Sequence, residues 1–195
     1  MRELALHILD IAENSISAGA SRIEITVKQD TRIDEMCISV KDNGMGMAEE
    51  MVANVMDPFT TSRTTRKVGL GIPLLKQAAE ACNGGMTIES QPGIGTHLVV
   101  KFQESHIDRM PLGNLSDTFL TLLLGSPEVN WVLDYQINNE IFQFDDSEVK
   151  EAIDGMSMTD YRVIEYLTST IENGIEVTKQ NAFTKGEKNA NDQID

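Results

Sequence analysis

Asp42-Asn43-Gly44-Met45-Gly46 follows directly on a strand-like alternation, and Val68-Gly69-Leu70-Gly71-Ile72-Pro73 opens a helical stretch further along. Together they constrain the fold more than any other feature of the chain. Glycines at a strand end let the backbone take positive φ and come close to a ligand or another backbone. Proline in the first turn marks where a helix starts, and a helix start presents unpaired N–H groups and a positive dipole end. A strand, a glycine loop and a glycine-opened helix are the parts of a site for a phosphorylated ligand. The commoner nucleotide motifs are absent. No GxxxxGK[ST] occurs, and no GxG is followed by the third glycine of a dinucleotide fingerprint.

The elements around these loops are mixed. Leu4, Leu6, Ile8, Leu9, Ile11 and Ala12 recur at helical spacing, so residues 3–18 read as a helix that Gly19 ends. Ile23, Ile25 and Val27 alternate with polar residues over a strand at 22–29, and Cys37–Lys41 is a second strand. A short helix over 48–56 ends near Pro58, a polar and basic loop spans Thr60 to Gly71, and a helix runs from Pro73 to about Ala81. Met86–Ser90 and Thr96–Phe102 are strands joined by a Pro92-Gly93-Ile94-Gly95 turn. Beyond a linker-like stretch from Ser105 to Gly113, Leu115–Leu124 reads as a helix. Trp131–Ile137 and Glu140–Phe144 read as strands around Asn138-Asn139. Glu148–Ile153 and Tyr161–Ile171 read as helices with Ser147 and Thr159 as cap candidates. The polar stretch from about Thr178 reads as a disordered tail.

Charge narrows the partners. Residues 106–195 carry 17 acidic and six basic side chains, a balance of −11, against −4 for residues 1–105. Such a surface repels nucleic acid and anionic lipid, and suits either plain solvation or a partner protein with a basic surface. No apolar run, Leu120–Leu124 included, is long enough to span a bilayer, and the N-terminus has no signal-peptide pattern. Cys37 and Cys82 sit in apolar segments and read as buried thiols of a cytoplasmic protein.

Asp10 and Asn14 lie four residues apart and share one helix face. An amide oxygen is a hard, neutral ligand suited to Mg²⁺, and a carboxylate one turn away suits a general base. The same pair is also what an ordinary solvated helix face carries. Arg63, Arg66 and Lys67 place cations beside Gly69 and Gly71. An ionised Asp42 is an acceptor only, so in a pocket it pairs with the amine of adenine and not with the carbonyl of guanine.

Asn14, Asp42-x-Gly44-x-Gly46, Pro58-Phe59-Thr60-Thr61, Gly69-Leu70-Gly71 and Gly93-x-Gly95-Thr96 resemble, in order, the conserved boxes of the gyrase, heat-shock chaperone, histidine kinase and mismatch-repair ATPase superfamily. The stretch from Gly69 through Phe102 is especially similar to the catalytic domain of sensor histidine kinases. The resemblance implies an α+β fold, a two-layer sandwich with helices on one face of a mixed sheet. It implies ATP between that sheet and a lid at about residues 60–70, with Mg²⁺ on Asn14 and adenine on Asp42. Phe59, Leu70, Gly95 and Thr96 join the cofactor-binding set through the same boxes. Asp10 stands where related ATPases and anti-sigma serine kinases have a glutamate base, one methylene longer, and Ser17 stands where histidine kinases often have a lysine. The boxes begin within ten residues of Met1, which leaves no phosphoacceptor hairpin ahead of them in this sequence. The expected organisation is an ATP-binding domain over 1–105, a small α+β partner-binding or regulatory segment over 106–177 and the tail over 178–195. Two activities stay open: a stand-alone ATP-dependent kinase or ATPase acting on a protein partner, and a non-catalytic ATP sensor. The oligomeric state, a dimer included, stays open as well.

Overall fold

The computed structural model describes residues 3–56, 71–153 and 155–191, with side chains described up to residue 184. Among them, α1 (Leu4–Ser17) leads into the antiparallel pair β1 (Arg22–Asp30) and β2 (Glu35–Asp42). Then come α2 (Glu49–Val55), α3 (Gly71–Ala81), β3 (Gly85–Gln91) and β4 (Gly95–Gln103). The second half supplies α4 (Leu115–Gly125), β5 (Asn130–Ile137), β6 (Glu140–Asp145), α5 (Asp146–Ala152) and α6 (Tyr161–Asn191).

All six strands form one sheet in the order β3-β4-β2-β1-β5-β6. Only β1 and β5 pair in parallel; the other neighbours are antiparallel. Strict alternation makes one sheet face apolar: Ile23, Ile25 and Val27 on β1, Met36, Ile38 and Val40 on β2, and Leu98, Val100 and Phe102 on β4 are buried. The helices cover that face. The stripe Leu4, Ile8, Ile11, Ala12 and Ser15 turns α1 onto it, and Gly19, at φ +75°, ends the helix. The fold is therefore the expected mixed sheet with helices on one face.

The segment from 106 onward does not form a core of its own. Its strand β5 lies beside β1, and Trp131, Leu133 and Tyr135 continue the same buried face. Phe119 of α4 meets Trp131 and Phe144 edge-on, with ring centroids 6.4 and 5.9 Å apart. The linker-like stretch is a packed strap. Arg109 donates to the Glu104 carbonyl at 2.7 Å and the Met110 carbonyl at 3.0 Å, and pairs with the Glu104 carboxylate at 3.1 Å. The carbonyls of Pro111 and Leu112 then accept from Leu4 N and Ala5 N at 3.0 and 2.8 Å. Those amides begin α1, which has no side-chain cap, so the strap satisfies donors that a helix start otherwise leaves open.

Two expectations need correction. The tail expected to be disordered from 178 continues α6 as far as Asn191. The reason is a buried stripe that passes the predicted helix end: Val163, Leu167, Ile171, Ile175, Thr178 and Ala182, at spacings of three and four. The cap candidates are also displaced. Asp145, not Ser147, caps α5 by accepting from Ser147 N at 2.9 Å, and Asp160, not Thr159, accepts from Arg162 N at 3.0 Å where α6 begins.

Candidate functional site

The site forms where α1, the end of β2, the β3–β4 turn and the start of α3 meet. Asp42 continues the inward face of β2, two positions beyond Val40. Its carboxylate is fixed from both sides. Ser15 Oγ donates to Oδ2 at 2.7 Å, and Gly44 N donates to Oδ1 at 2.8 Å. Each oxygen keeps a further lone pair for a ligand donor.

The glycine loop is stitched to its surroundings through backbone. Met45 N donates to Ala18 O at 2.9 Å, and Gly93 N donates to Met45 O at 2.8 Å. A Cβ on Gly46 would lie 2.0 Å from the Gln91 carbonyl oxygen, and one on Gly95 2.0 Å from that of Asp42. These two glycines are required by close approach of one strand of chain to another. Ser90 holds the junction: its Oγ accepts from Met47 N at 2.8 Å, donates to Gly95 O at 3.0 Å and lies 2.9 Å from Thr96 Oγ1. Asp42, Gly44, Gly46, Gly95 and Thr96, read from separate motifs, are thus one cluster.

Asp10 and Asn14 sit one turn apart on α1. Among the described residues, Asp10 Oδ2 is buried without a hydrogen-bond partner, and it lies against Gly71 at the start of α3, where a Cβ would approach it to 1.6 Å. His7, one turn earlier on the same side, is buried near the Gly71 backbone, and its Nδ1 has no hydrogen-bond partner among the described residues. Burial holds its imidazole below the usual range, and Asp10 and the Gly71 contact pull the other way. The Asn14 side chain makes no hydrogen bond among the described residues. No group of three or more His, Cys, Asp or Glu among those residues could hold a metal by itself. Phe59, Arg63, Arg66, Lys67, Gly69 and Leu70 lie outside the described residues.

Ser15 and Ser90 are the residues that sequence reasoning missed. Ser15 directly follows Asn14 and sits on the buried stripe of α1, a position where a hydroxyl needs a partner. Ser90 carried no signal in the sequence. A cavity of about 620 Å³ also opens beside Asp42, but on the helix-free face of the sheet among Arg22, Lys41 and His97, away from Asp10 and Asn14.

Residues 2–106 match the family described as histidine kinase-, DNA gyrase B-, and HSP90-like ATPase, which is more than half of the chain. The chain belongs to this family. It carries the family's ATP-binding domain. Its similar proteins include sensor protein kinase WalK of Staphylococcus haemolyticus, 35% identical over 97 residues (47% of this chain and 16% of that protein). WalK of Staphylococcus saprophyticus is 37% identical over 89 residues, 43% of this chain and 15% of that protein. The chain thus spans about a sixth of the length of these relatives. Among solved structures, the N-terminal domain of a DNA repair protein superposes with a TM-score of 0.50 at 11% identity, over 90% of this chain and 57% of that one. The Aquifex aeolicus MutL ATPase domain complexed with ADP gives 0.48 at 17% identity, over 69% and 60%. Among the described residues, no helix is long and apolar enough to cross a membrane.

Proposed function

We propose that the protein binds Mg²⁺-ATP between α1, β2 and α3 and uses it in phosphoryl transfer to, or hydrolysis in concert with, a protein partner in the cytoplasm. The observation that carries this reading is the Oδ2 of Asp10 at the start of α3, buried and without a partner among the described residues. A buried acceptor without a donor is costly, and it is the state of a general base awaiting a proton-bearing nucleophile. Asp42, with both oxygens anchored and lone pairs to spare, fits an adenine amine. The Asn14 amide fits a Mg²⁺ ion held mainly by phosphate oxygens, in keeping with the lack of an all-protein cluster among the described residues. The ion would neutralise charge on the phosphates. Asp10 would accept a proton at Oδ2, with Gly71 keeping that oxygen's space open.

The name of the WalK relatives, sensor protein kinases, supports transfer over sensing. The acidic second half supports a partner with a basic surface. The experiment measures fluorescent ATP-analogue binding and phosphate release for the full chain and for Asp10→Asn. Retained binding with turnover lower by about 10²-fold or more is the expected result. Equal turnover would remove Asp10 as base. No turnover in either chain, with nucleotide binding intact, would favour the ATP-sensor reading.

A further inference from the structure

The sheet ends at β6, which has β5 on one side and no strand on the other among the described residues. In such a strand every second residue turns its amide and carbonyl away from its neighbour. Proline is a common way to blunt such an edge, and β6, Glu140-Ile-Phe-Gln-Phe-Asp145, has none; its one charge on the inward face, Glu140, stands at the first position of the strand, away from Phe144 and Asp145. Ile141 is 57% exposed on it.

A groove of about 830 Å³ runs along this edge. Phe142 and Phe144 form its floor, Val149 and Met156 close one end, and Val163 and Tyr166 of α6 form the far wall. Met156 is 42% exposed and Tyr166 57%, so apolar surface is left open beside unpaired backbone. The floor is rigid. Phe142 packs on Gly174 of α6, where a Cβ would come within 2.1 Å of the ring. Asp145, at the end of β6, is held by Asn130, Ser147 and Arg22.

The charges around the groove choose its occupant. Arg162 is matched by Asp160, 3.2 Å away. Glu148 lines the groove with no ion pair among the described residues, and Glu151 and Glu165 stand exposed on the same two helices. A second copy would bring a net charge of −15 against these carboxylates. An extended segment with lysine or arginine alternating with aliphatic residues matches every part of the surface. Its backbone pairs with β6, alternate apolar side chains fill the groove, and the basic ones face Glu148 and its neighbours.

We infer that β6 and the groove between it, α5 and α6 form a docking site for a basic, extended segment of the protein partner, which adds as a seventh strand. This deepens the partner part of the proposed function and rests on it.

The test uses the full chain and a displayed library of nonapeptides, followed by synthesis of the best binder. Enriched peptides should alternate Lys or Arg with Val, Ile or Leu. The chosen peptide should slow hydrogen exchange at residues 140–145. Tyr166→Ala and Glu148→Lys, both surface changes, should each weaken its binding at least tenfold while leaving fluorescent ATP-analogue binding unchanged. Binders without that alternation, protection elsewhere on the chain, no binder at all, or equal affinity for both variants would overturn the site. A dimer by sedimentation that Tyr166→Ala dissolves would overturn it in favour of self-association. Loss of the β6 effect with ATP binding intact refutes this site alone. Peptide docking at β6 in a chain that binds no nucleotide refutes the proposed function and leaves the groove standing.

Discussion

The carboxylate of Asp10 occupies the space that a side chain on Gly71 would fill, with Oδ2 only 1.6 Å from the position of a Cβ there. The glycine that opens α3 is therefore set by the residue opposite it on α1. Its φ lies outside the left-handed region, so tolerance of unusual backbone is not its reason. Gly71→Ala should displace Asp10 or shift the first turn of α3, at a cost of about 1–3 kcal/mol. Calorimetric melting reads the stability, and phosphate release should fall further than ATP affinity does. An alanine variant with unchanged melting and turnover would mean that the two groups are not in contact in solution.

Asp42 is held by Ser15 and Gly44. Asp42→Asn should lower ATP affinity and erase preference over GTP, because an amide can donate to the guanine carbonyl as well as accept. Ser15→Ala, which frees one oxygen, should cost about 1 kcal/mol of stability and weaken ATP binding less than Asp42→Asn does. Titration calorimetry with both nucleotides checks the order of these effects.

His7 sets an acid limit on stability. Its folded-state affinity for a proton is depressed by burial, so between its folded value and 6.5 the unfolded chain binds a proton that the folded chain refuses. The contribution of neutral His7 is complete above pH 6.5 and is lost as pH falls below it. Urea midpoints from pH 7.5 down to about pH 5 should fall more steeply in the native chain than in His7→Gln. Parallel curves would show that His7 titrates alike in both states.

Gly174 lies inside α6, where alanine would ordinarily raise helix stability by about 1 kcal/mol. Here the Phe142 ring stands 2.1 Å from the added carbon, so Gly174→Ala should lower the melting temperature. The double variant Gly174→Ala with Phe142→Leu should recover part of the loss. A rise in melting temperature for the single change would contradict the packing.

The residues that meet at the candidate site were legible where they sit in local patterns. Asp42, Gly44 and Gly46 follow a strand end, Gly71 and Pro73 start a helix, and Asp10 and Asn14 share one turn spacing. The serines were not, since Ser90 gathers Met47, Gly95 and Thr96 through contacts that exist only once β3 and β4 pair. The strands and most helices of the second half were readable from alternation and turn residues. Their place was not, because nothing local in Trp131–Ile137 says that its neighbour is β1, more than a hundred residues earlier in the register Ile23 to Trp131. The far half of α6 was missed because Thr178 and Ala182 bury small side chains that give little hydropathy signal.

The strap at Pro111 and Leu112 closes the first turn of α1, so the helix that carries Asp10 and Asn14 is finished by residues about a hundred positions later in the chain. As the chain leaves the ribosome, its opening amides wait in water until residues 111 and 112 have emerged, and β1 waits still longer for β5. A nascent chain halted at residue 105 would hold every family motif and yet expose one side of β1, with α1 lacking its hydrogen-bonded start. Residues beyond the family match thus complete both the start of α1 and the open side of β1.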